Sequence, residues 1–97
     1  MYARVVRWEG AEAEAMKRTA EEISSEAESG PPEGVPAKGF LLLQDPAGGK
    51  VMAISFFETE DDYRQGDQTL NAMSPPGEGL GSRAGVDKYE VALEVEA

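Results

Sequence analysis

Four strands and two helices in the order β-α-β-β-α-β, an α+β fold, are predicted by three observations on this 97-residue chain. Residues 39–63 run from one apolar stretch through a glycine turn into a second, then directly into a helix-start signal. An alanine- and glutamate-rich stretch with apolar residues at helical spacing precedes them. Segments rich in β-branched and aromatic residues flank both.

Residues 2–8 read as the first strand, with Tyr2, Arg4, Val6 and Trp8 on one face and Ala3, Val5 and Arg7 on the other. Gly10 punctuates its end. From residue 11 to about 28, good helix formers dominate, and Met16, Ala20, Ile23 and Ala27 form one narrow apolar stripe with glutamates opposite. Ser29-Gly30-Pro31-Pro32 stops this helix. Residues 39–44 and 50–57 are two strands joined by Asp45-Pro-Ala-Gly-Gly49, a connection suited to a hairpin with a longer loop. Both are apolar at nearly every position, so each is expected to be covered on both faces, one by helices and the other by a second sheet or a partner. Thr59 is placed to cap a helix running to about Met73, and Glu60, Asp61 and Asp62 sit where the positive end of the helix dipole favours acids. Tyr63, Leu70 and Met73 lie on its one side, with Gly66 beneath. After an irregular loop over 74–82, the last strand is expected from Arg83 to about Val95, with Tyr89, Val91, Leu93 and Val95 on one face. The whole chain, 1–97, forms one domain of the split-βαβ or ferredoxin-like plan, with both helices on one face of an antiparallel sheet.

Composition limits the chemistry. Nine basic against nineteen acidic residues give a net charge of −10, which disfavours nucleic acid and anionic membrane surfaces as partners. No cysteine is present, so disulfides, thiolate metal sites and cysteine nucleophiles are excluded. No histidine is present either, which removes the commonest general base and the commonest haem or transition-metal ligand. No stretch approaches the ~20 apolar residues of a membrane span, and residues 1–6 carry no apolar signal core. A cytoplasmic location is expected.

Met1-Tyr-Ala-Arg-Val with Trp8-Glu9-Gly10, Gly39-Phe-Leu-Leu-Leu, Ile54-Ser-Phe-Phe-Glu-Thr-Glu-Asp-Asp-Tyr63, Leu70-Asn-Ala-Met73 and Val86-Asp-Lys-Tyr-Glu-Val91 together resemble the dimeric α/β-barrel superfamily, in its antibiotic-biosynthesis-monooxygenase-like branch. The resemblance covers nearly the whole chain, mostly at core and capping positions. It implies a homodimer in which two sheets pair face to face. It also implies a choice of activities: cofactor-independent oxygenation of polycyclic phenols, haem degradation, lactone isomerisation, or no catalysis. The haem-degrading branch uses an asparagine, a tryptophan and an axial histidine. This chain has Asn71 and Trp8 but no histidine, and Trp8 stands off the family's tryptophan position, so neither role carries over.

A cofactor-independent monooxygenase needs an apolar pocket with a few polar groups that deprotonate and orient a small aromatic substrate. Arg4, Trp8, Tyr63, Asn71 and Tyr89 are the ligand-pocket candidates; no catalytic residue is assigned, and no bound cofactor or metal is expected. Each candidate also has a structural reading. Trp8 and Tyr89 are sheet-packing aromatics, and Tyr63 is a core anchor. Arg4 is an ion-pair partner for a neighbouring strand or subunit, and Asn71 a local backbone partner. Asp61-Asp62 looks like a metal pair on paper but is better explained as helix capping. Gly77-Glu-Gly-Leu-Gly81 lacks the lysine and flanking elements of a phosphate loop, and its expected role is a flap over a pocket mouth. Two functions remain: a monooxygenase-like enzyme without bound cofactor, and a non-catalytic binding or accessory protein on the same scaffold.

Overall fold

The structure, a computed structural model, describes residues 1–72 and 81–96. Among these residues six elements follow one another: β1 (Tyr2–Glu9), α1 (Ala13–Ala27), β2 (Gly39–Asp45), β3 (Lys50–Phe57), α2 (Glu60–Ala72) and β4 (Ser82–Glu90). All strand pairs are antiparallel, in the order β2-β3-β1-β4, so the arrangement is ferredoxin-like α+β as expected. The hairpin loop is residues 46–49, closed by the Gly48 N–H donating to Asp45 Oδ1 at 3.1 Å and by Gly49 at φ +67°. β4 stops at Glu90, short of the expected Val95. Its ladder with β1 ends at the Tyr2–Glu90 pair, after which Val91 N–H donates to the Met1 carbonyl at 2.9 Å.

The helices cover one face of the sheet, and register fixes which side chains meet them. Tyr2, Arg4, Val6 and Trp8 of β1 stand opposite Phe57, Ser55, Ala53 and Val51 of β3. Two apolar clusters form there. Under α1 are Val6, Trp8, Ala11, Met16 and Val51, with Leu42 and Ala53 against them. Under α2 are Val35, Phe57 and Tyr63, with Tyr2, Ala37 and Leu70. Of the expected α1 stripe, Met16 is fully buried, Ala20 and Ile23 are half-buried, and Ala27 is exposed. Thr59 caps α2 as expected, its Oγ1 accepting the Asp62 N–H at 3.1 Å. Gly66 lets α2 lie directly on the Phe57 ring, which a Cβ at this position would meet at 2.6 Å from Cζ.

Among the described residues no helix covers the opposite face of the sheet. By the pleat it carries Ala3, Val5 and Arg7, Leu41 and Leu43, Met52, Ile54 and Phe56, and Asp87 and Tyr89. Leu41 and Leu43 are each 48 % exposed and Tyr89 is 55 % exposed. No helix among the described residues is long and apolar enough to cross a membrane.

Candidate functional site

Between the two apolar clusters a polar row crosses the helix-facing side of the sheet: Ser55, Arg4 and Lys88, in direct register on β3, β1 and β4. Arg4 is at its centre and is 5 % exposed. A guanidinium so placed requires charge and hydrogen-bond partners, and α2 supplies them. Arg4 Nε donates to Asp67 Oδ1 at 2.8 Å, and its Nη2 donates to Asn71 Oδ1 at 2.9 Å. Asp67 and Asn71 are four apart, on the same helical face. The same Asn71 oxygen accepts from Arg83 Nη2 at 3.1 Å, so one amide bridges two guanidinium groups.

A bulge brings Arg83 there. Gly85 pairs with Arg7, but Arg83 pairs with Trp8, so β4 carries one extra residue at this point. The shift puts Arg83 on the helix side, although Gly85, Asp87 and Tyr89 face the other way. Nearby, Lys88 Nζ donates to Glu60 Oε1 at 3.2 Å and lies over the rings of Tyr2 and Tyr63, 5.3 and 5.1 Å from their centroids. Tyr63 packs edge-on against Phe57 at 5.5 Å. Burial pushes its phenol above the ordinary tyrosine range, with the Asp67 charge adding to the rise and Arg4 opposing it. It therefore stays protonated at neutral pH, available as a donor and not as a base.

Four of the five candidate residues thus lie on the helix side, and three of them (Arg4, Tyr63, Asn71) gather beside Asp67. Trp8 is on the same side but is packed under α1 in the first cluster. Tyr89 is on the uncovered face, so no common pocket is formed by Trp8 and Tyr89. Asn71 is not the local backbone partner expected; its side chain joins β1 to β4. Arg4 has the acidic partner expected of it, but from α2 rather than from a strand. Asp67 and Arg83 were missed in the sequence; an acid four residues before Asn71 on a single helix face was the available signal.

A groove of about 660 Å³ runs along α1, lined among others by Met16, Lys17, Glu21, Ser24 and Gln44. It includes none of the five candidates. Among the described residues no three acidic groups converge in a way that could hold a metal; the expected flap falls within 73–80 and so lies, except for Gly81, outside the described residues. No family model matches the chain, and no curated protein matches it. The fold and the polar row define the class: a ferredoxin-like α+β protein with a buried arginine, Arg4, paired between sheet and second helix.

Proposed function

We propose that this chain is a homodimeric member of the dimeric α/β-barrel superfamily that binds a small aromatic molecule at the margin of α2 and β4. The reaction class is cofactor-independent, monooxygenase-like oxidation. The observation that carries this reading is Arg4: a buried cation in the middle of a central strand, where an apolar residue would pack without electrostatic cost. A departure of this kind from core patterning is characteristic of functional sites. The helix-facing side chains of β4 beside it, Arg83, Val86 and Lys88, are exposed and so accessible to a ligand.

The chemistry follows from charge. A phenol or enol reacts with oxygen only after it has lost a proton, and the electrons for oxygen reduction come from the substrate itself. Arg4 and Arg83, joined through Asn71, favour the anion over its conjugate acid. Tyr63 donates a hydrogen bond, and Asp67 or water takes the proton. Dimerisation uses the uncovered apolar face, since an exposed patch of this extent on a small domain is typical of an interaction surface, and a two-fold contact is the commonest way to cover it.

Oxygen consumption with a panel of anthrones and hydroquinones tests the enzyme. The wild type is expected to consume oxygen, and Asn71→Ala to lose roughly 10²-fold in rate, the scale of removing one charge-stabilising contact. No consumption with any member of the panel sinks the monooxygenase reading. The second reading, a non-catalytic binding protein, is favoured by the fact that no fully buried side-chain nitrogen or oxygen among the described residues lacks a partner. Quenching of the single tryptophan, Trp8, by the same compounds without oxygen uptake would select it.

A further inference from the structure

One ion pair lies within the apolar face of the sheet that no helix covers. Arg7 Nη2 is 3.3 Å from Asp87 Oδ2, a diagonal contact between β1 and β4, with both side chains nearly half exposed. An exposed pair of this kind adds little to folding, so the stability of a single protomer does not account for its place there. Val5, Ile54 and Tyr89 are among its apolar neighbours on that face, and charges return at the hairpin end, where Asp45 pairs with Lys50. Inside that rim the face is neutral, one arginine and one aspartate, on a chain of net charge −10. Much of the acidic surplus lies on α1 instead, at Glu14, Glu21, Glu22 and Glu26. A second copy of this chain therefore meets least repulsion at the uncovered face.

Gly85 shows how the pair is seated. It stands opposite Arg7 and its φ is not positive, so backbone conformation does not call for glycine. Glycine within a strand also weakens it. The space above it supplies the reason: a Cβ there would lie 2.9 Å from Arg7 Nη2. The guanidinium thus lies across the Gly85 backbone on its way to Asp87, which keeps the face level enough for another sheet to pack at about 10 Å. In a free protomer such a clash is cheap to relieve, because the end of a long side chain swings out into solvent. Beneath a second sheet it has nowhere to go.

We propose that the Arg7–Asp87 pairs of two copies meet head to tail about the two-fold axis of the dimer, each guanidinium beside the partner subunit's Asp87, with Gly85 providing the room. An apolar face alone fixes no alignment. Buried charges do, because they cost least where each meets its opposite and most where one is left unpaired. This rests on the homodimer reading above and adds to it the contact that selects one alignment.

Arg7→Asp and Asp87→Arg test the contact separately and together. In sedimentation equilibrium each variant alone is expected to dimerise about tenfold or more weakly than wild type, since like charges then converge at the axis. An equimolar mixture is expected to recover a dimer near wild-type strength with one chain of each kind, because an acidic pair then faces a basic one. Gly85→Ala is expected to weaken the dimer severalfold, while urea unfolding of the dilute protomer keeps its midpoint or gains. A wild-type dimer whose Gly85→Ala variant associates equally well, or a mixture of the charge variants that stays monomeric, overturns the pairing and leaves the face-to-face dimer standing. A wild type that is monomeric at micromolar concentration overturns both.

Discussion

Arg4 and Tyr63 carry opposite consequences for stability. Removing the guanidinium alone, as in Arg4→Met, leaves Asp67 without this donor and Asn71 with Arg83 alone. Loss of hydrogen bonds to a charged group costs about 1.5–3 kcal/mol, and with the Asp67 side chain about one-third exposed the lower part of that range is expected. Urea denaturation measures it, and Arg4→Met combined with Asp67→Leu should recover much of the loss, since an apolar pair replaces an ion pair. For Tyr63 the sign follows from its raised pKa. Below about pH 10, the ordinary tyrosine value, both folded and unfolded phenols are protonated and the group adds no pH dependence. Above it the unfolded phenol ionises first, so stability falls as pH rises toward the folded value. Denaturation midpoints on either side of pH 10 should therefore drop more steeply in wild type than in Tyr63→Phe; equal slopes would refute this. Arg4 and Tyr63 were both recognisable in the sequence as polar or aromatic groups on apolar elements. The role of Asn71 was not, because its contact with Arg4 spans 67 residues and depends on the rotational phase of α2.

The elements themselves were largely legible. Thr59 and the acids after it mark the start of α2, and the structure has the cap in place; Thr59→Ala is expected to cost about 1 kcal/mol in thermal or chemical denaturation. Gly66 acts in the opposite sense from its propensity. Alanine there would favour the helix by roughly 1 kcal/mol, but its Cβ would overlap the ring of Phe57, which is fully buried and held by Tyr63. Overpacking of this kind costs about 1–3 kcal/mol, so Gly66→Ala should lower the urea midpoint rather than raise it. Two features of β4 escaped the sequence. Its alternation continues to Val95 but its ladder with β1 ends at Glu90. The bulge opposite Arg7 and Trp8 is equally silent: counting back from Tyr89 by twos assigns Arg83 to the wrong face.

For the whole molecule, the charge of −10 opposes the association that the apolar face favours. Two such protomers repel most where screening is weak. Raising ionic strength from about 0.01 M to 0.15 M shortens the Debye length from about 30 to 8 Å, so the proposed dimer should tighten with salt when followed by sedimentation. Salt-induced dissociation would indicate that ion pairs rather than apolar contact hold the copies together. The order of the sheet was readable from the βαββαβ pattern because few other topologies satisfy it. The uncovered face was readable only as a surplus of apolar residues in the strands around the hairpin.

The attachment of α1 has a kinetic meaning as well. Only Met16 and Thr19 of its fifteen residues are buried, no side chain caps its N-terminus, and an open groove runs beside its apolar stripe. A helix so lightly held can open while the sheet and α2 stay folded. Its backbone amides are therefore expected to exchange with deuterated solvent well before those of β1 and β3, making α1 the molecule's first unit to breathe.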